Sequence, residues 1–200
     1  MTGDLWHRLA VEVEKVDSVA GSAVRAAVGE RTAPLRIQVA GREGTGRRSV
    51  ERVVAVSVGA ESVGVDIGVE VTGVVVDAPG EPDPVFDADV VVYVLPIRLD
   101  PASVHPADRS ALARIDVRRL VVVAGGPGDQ ADPIAATLGV GVFTADDPAL
   151  SGAVATRLDA AFGHREEHLV RTVAGIAAVP AARDLIEAAI DTVDPSRGVA

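Results

Sequence analysis

One stretch constrains the fold more than any other: Arg36-Ile37-Gln38-Val39-Ala40-Gly41-Arg42-Glu43-Gly44-Thr45-Gly46-Arg47-Arg48-Ser49-Val50. An apolar strand over residues 35–40 runs into a glycine-bearing loop and then a helix start, so the chain must fold as an α/β unit around that junction. The spacing Gly41-x4-Gly46 is that of a phosphate-binding loop, G-x-x-x-x-G-K-[ST], with Arg47 in the lysine position and Arg48 in the Ser/Thr position. Glycines there allow the turn that aims backbone N–H groups at an anion, and the helix N-terminus adds partial positive charge. Candidate phosphate-binding residues are Gly41, Glu43, Gly44, Thr45, Gly46, Arg47, Arg48 and Ser49. The two exchanges change the chemistry. A guanidinium fork is bulkier and more directional than an ammonium, and Arg48 has no neutral oxygen to offer Mg²⁺. Lys15 is the only lysine among 19 basic residues, so arginine at 47 also fits a chain-wide preference for arginine.

The remaining pattern supports an α/β sheet. Short apolar runs at 74–76, 90–95 and 120–123 read as buried parallel strands, with 140–143 a shorter candidate. Val63 to Val71 alternate with period two, the sign of a strand with one exposed face. Residues 49–58 read as a helix, although their valines suit a strand nearly as well. Pro101–Ala113 and Asp132–Leu138 read as helices with Pro101 and Pro133 near their starts. Leu5, Leu9, Val13, Val16, Ala20, Ala23 and Ala27 fall at helical spacing. Residues 1–30 are therefore expected to form one amphipathic helix in front of an α/β domain spanning 31–200. Three further helices are expected at the end, the first (148–162) stopped by Gly163, the next broken at Pro180. The fold expectation is a three-layer, mostly parallel P-loop NTPase-like domain with an N-terminal helix and a helical C-terminus.

Composition excludes several function classes. The net charge of −10 argues against a nucleic-acid or anionic-membrane surface. With no cysteine there is no disulfide or thiolate chemistry. No signal peptide or membrane-spanning run is visible, which points to a cytoplasmic protein. His164-Arg165-Glu166-Glu167-His168 matches the zinc-protease pattern H-x-x-E-H, but after Gly163 it reads as the solvated first turn of a helix.

A second motif follows the first. Gly73-Val74-Val75-Val76-Asp77-Ala78-Pro79-Gly80 is an apolar strand ending in D-x-P-G, where open α/β sheets place ligands. Together with Gly41–Ser49 and with Phe86-Asp87-Ala88-Asp89-Val90-Val91-Val92-Tyr93-Val94-Leu95, it resembles the translation-factor-like P-loop GTPases, particularly the Era and dynamin-like branches. The resemblance covers residues 35–145. It implies GTP or GDP as ligand, Mg²⁺ held through Ser49 and Asp77, and a γ-phosphate contact from Gly80. It also implies base reading after strand 120–123, where Ala124-Gly125-Gly126-Pro127-Gly128-Asp129 stands in place of N-K-x-D and only Asp129 could accept from guanine. Thr144-Ala145 is similar to the S-A element. Thr72, the one threonine between Arg47 and Asp77, sits in or beside a strand, so no threonine is placed to close over metal and phosphate.

The competing plain readings are a ligand-free turn at Gly41–Gly46, a turn cap at Asp77, and surface pairing of Arg47 or Arg48 with Glu51. The expectation is a GTPase-like regulatory protein with weak or absent nucleotide binding that acts on a protein partner or as a homo-oligomer. The alternatives are an active GTPase using Arg47 and Ser49, and a scaffold protein.

Overall fold

The computed structural model describes residues 2–60, 68–96, 103–125 and 131–193. In order, its elements are α1 (Thr2–Val16), α2 (Ser18–Thr32), β1 (Leu35–Arg42), α3 (Arg47–Ala60), β2 (Val69–Val76), β3 (Val90–Leu95), α4 (Pro106–Leu112), β4 (Leu120–Ala124), α5 (Ala131–Leu138), β5 (Val142–Thr144), α6 (Ala149–Ala174) and α7 (Pro180–Val193). They divide into two compact units. One spans Pro34–Ala161, and the other joins Met1–Ala33 to Phe162–Ala200.

The first unit holds a five-stranded, wholly parallel sheet in the order β2-β1-β3-β4-β5. The four runs expected to lie side by side do so. Ala40, Val91, Tyr93, Leu95, Val122 and Ala124 share one core with Ala111 of α4 and Ile134 of α5. The residues alternating with them, Ile37, Val39, Val92, Val94, Val121 and Val123, are buried too, so the sheet is covered on both faces, as the three-layer expectation requires. β2 is an edge strand, and its mixed burial contrasts with the fully buried β3. Residues 74–76 are not a separate strand: β2 begins at Val69 and carries Thr72 and Gly73 within it. Residues 61–67 lie outside the described set. The valines of α3 do not make it a strand. Val50 and Val54, four apart, are buried while Val53 and Val56 are exposed, a helical period. α4 starts at Pro106 rather than Pro101, with His105 as its cap: its Nδ1 accepts from Ala107 N–H at 3.2 Å.

In the second unit the expected N-terminal helix is two helices. Asp17 leaves the helical conformation (φ −148°) and its Oδ1 accepts from Ala20 N–H at 3.0 Å, capping α2. Short acidic side chains compete with helix continuation in this way. Its Oδ2 accepts from Val179 N–H at 3.1 Å. These two amides, Ala20 first, hold the Asp17 carboxyl below its ordinary range. Nor do the C-terminal helices all belong with the sheet. Trp6, Leu9, Val13, Val24, Val28, Leu169, Val173 and Ile186 form one core, because each helix carries a single apolar stripe that needs the others to cover it. Gly163 does not stop α6, which runs on to Ala174. Gly163 is not among the positive-φ glycines, and a glycine in right-handed geometry weakens a helix without ending it. His164 and His168 are therefore mid-helix, not in a first turn. Arg31 is buried between Glu166, its ion-pair partner, and the Phe162 ring at 5.2 Å. Among the described residues no helix is long and apolar enough to cross a membrane.

Candidate functional site

In a sheet of order 2-1-3-4-5 the connections reverse between β1 and β3, and ligands sit outside the carboxyl ends of the strands near that point. β1 ends there in the glycine loop. Gly41 pairs with Val75 on one side and Val94 on the other. It is buried, and a Cβ on it would stand 2.8 Å from the Val94 carbonyl oxygen. Gly44 and Gly46 adopt φ of +77° and +82°, the left-handed region that a side chain disfavours. Thr45 is buried beneath the loop. Its hydroxyl donates to the Arg42 carbonyl at 2.8 Å, and its N–H reaches the same oxygen at 3.4 Å. Helix α3 then closes its first turn with Ser49 and Val50 N–H on the Gly46 carbonyl. Among the described residues the N–H groups of Glu43, Gly44, Gly46, Arg47 and Arg48 have no acceptor. Five amides of one loop and helix start are thus available to an anion.

These five residues, with Arg42 and Ser49, line an open groove of about 560 Å³ whose other wall is Val75, Ala78, Pro79 and Glu81. The two motifs separated by some thirty residues of sequence therefore face one space. Asp77 follows β2 beside that wall, exposed and at φ +59°, a conformation that is uncommon for a residue with a side chain. Gly80, also exposed, turns the chain at φ +77°, and Glu81 N–H closes the turn on the Ala78 carbonyl at 3.2 Å. Neither Asp77 nor Gly80 lines the groove, nor do Gly41 and Thr45.

The cations divide three ways. Arg47 is held by its own helix and the neighbouring strand. Its Nη1 donates to Glu51 Oε2 at 3.2 Å, and its side chain is only 13% exposed. It lies over Gly73 of β2, where a Cβ would overlap the guanidinium. Arg48 and Ser49 are exposed on the groove, and Arg48 makes no ion pair among the described residues. Arg42 is anchored from below. Its Nε donates to both oxygens of Asp108 at 3.1 Å, while Asp108 is wholly buried and also accepts from Tyr93 Oη at 3.0 Å. Burial, then the adjacent Asp108 charge, pushes the Tyr93 phenol well above its ordinary value.

Sequence reasoning missed Asp108, Tyr93 and the wall residue Glu81. The network joins positions 66 residues apart, and its one visible signal was a lone tyrosine in an otherwise apolar strand, whose hydroxyl must find a partner. Asp129 lies outside the described residues, so the base-reading expectation has no geometry here. Thr144 ends β5, and its hydroxyl holds the Asp146 carboxyl below its ordinary range. In α6, His168 Nε2 is 3.3 Å from Thr172 Oγ1 and His164 stands 3.8 Å from Glu167. Among the described residues no three His, Cys, Asp or Glu side chains gather as a metal site would need. Comparison with protein-family models, with curated proteins and with solved structures found no match.

Proposed function

We propose that this chain is a GTPase-like regulatory protein whose glycine loop takes the phosphates of GTP or GDP weakly and without help from Mg²⁺. Its output is contact with a protein partner or a second copy of itself, in a cytoplasmic setting. The observation that carries this reading is the set of five amides between Glu43 and Arg48 that have no acceptor among the described residues, on one groove shared with Ala78 and Pro79 of the D-x-P-G turn. Backbone N–H groups with a helix N-terminus behind them bind phosphate without a metal. The metal half of the site lacks support. Arg48 stands where a hydroxyl ligand is needed, and Thr72 is held in β2. Phosphoryl transfer depends on positioning and metal charge neutralisation, so turnover is absent or very slow.

The rival reading, an active GTPase, draws on Ser49, exposed on the same groove. Titrating the protein with GTP, GDP and ATP, with and without Mg²⁺, and assaying phosphate release separates the two. Metal-independent, weak binding without release supports the first; metal-dependent binding with release supports the second.

A further inference from the structure

Arg47 stands on the groove where the phosphate-loop spacing puts a cation, yet its charge is already paired. Three features hold it. Glu51, one helical turn on, takes its Nη1 at 3.2 Å. Gly73 on the neighbouring strand leaves a niche that any side chain would fill, since its Cβ would overlap Arg47 and stand 2.5 Å from Glu51 Oε2. The pair is also of unequal burial, Arg47 13% exposed and Glu51 32%.

We propose that the Arg47–Glu51 pair, seated against Gly73, is a latch that sets the affinity of the groove for polyphosphate. This rests on the reading of the groove as a phosphate site. With the latch shut, Arg42 is neutralised by Asp108 and Arg47 by Glu51, and Arg48 shares the groove lining with two acidic residues, Glu43 and Glu81. That balance disfavours an anion. Releasing Arg47 supplies a fork suited to two phosphate oxygens, and leaves Glu51 at a helix surface where water solvates it.

The test is calorimetric titration of the full chain with sodium tripolyphosphate, free of Mg²⁺. The proteins compared are the natural one, Glu51→Gln, Gly73→Ala and the double variant Arg47→Ala/Glu51→Gln, each checked for folding by circular dichroism. Glu51→Gln should bind about tenfold more tightly, the effect of one charge-assisted hydrogen bond, and the double variant should lose that gain. Gly73→Ala, if folded, should move affinity in the same direction by crowding Arg47 out. Equal binding by the natural protein and Glu51→Gln overturns the latch and leaves the groove reading standing. A gain that survives loss of Arg47 also overturns it, because removing one negative charge would then suffice. If no variant binds tripolyphosphate, the latch and the groove reading fall together.

Discussion

Arg42 and Arg47 flank the same glycine loop, and each is ion-paired, but the two pairs differ in physical character. Arg42 is joined to a carboxylate with no solvent exposure that also takes a buried phenol. Arg47 is joined to a carboxylate one helical turn away, a third of which meets solvent. Removing Arg42 from the first strands the Asp108 carboxylate where water cannot reach it. Removing Glu51 from the second leaves Arg47 at a helix start on the open groove, where its long side chain can swing into water. The same residue type therefore fixes the loop at its strand end and is releasable at its helix end.

The sharpest way to break this contrast is Arg42→Ala, which leaves the wholly buried Asp108 carboxylate without its cation. It should destabilise the protein by about 3–5 kcal/mol, the range for losing one member of a buried pair, measured by urea unfolding. A loss comparable to that of a surface pair would show that Arg42 is no anchor. Tyr93→Phe removes one hydrogen bond to the same carboxylate and should cost about 1.5–3 kcal/mol. The single tyrosine also gives a pH signature. Its folded value is raised, so the neutral phenol is favoured in the fold. That contribution is fully present below the ordinary value of about 10 and is lost as pH rises beyond it. Phenolate absorbance should therefore stay flat above pH ~10 until the protein unfolds. A simple titration near 10 in the folded protein would contradict the network.

Glu51→Gln is the weakest perturbation of stability. The pair is only partly exposed, Arg47 at 13% and Glu51 at 32%, but the substituted amide oxygen still accepts from the guanidinium, so the cost should be about 1 kcal/mol, below that of either change in the Asp108 network. A large loss of stability would place Glu51 among the anchors and erase the distinction between the two ends of the loop.

The parts legible in the sequence were those with a period or a spacing. β3 was bounded correctly because six consecutive apolar residues flanked by Asp89 and Pro96 admit little else. Gly44 and Gly46 announced their left-handed turns. Helix boundaries were less legible where one residue type has two uses. Gly163 ends a helix only if the chain turns left-handed after it, and Asp17 interrupts one only because Val179 and Ala20 supply its donors. The grouping of α1 and α2 with α7 was invisible, since an apolar stripe states that it needs a cover without saying which. At the site, the loop's spacing placed the amides, but the direction of Arg47 depended on Gly73, a strand glycine whose missing side chain had no local meaning.

The most direct measurement of the central claim is a GTP titration of the natural protein and of Gly46→Val, each with and without Mg²⁺. Gly46 holds φ +82° in the loop, a conformation valine resists. The account predicts weak binding by the natural protein, unchanged by Mg²⁺, and none by the folded variant. Binding that needs Mg²⁺, or binding that survives Gly46→Val, would contradict it.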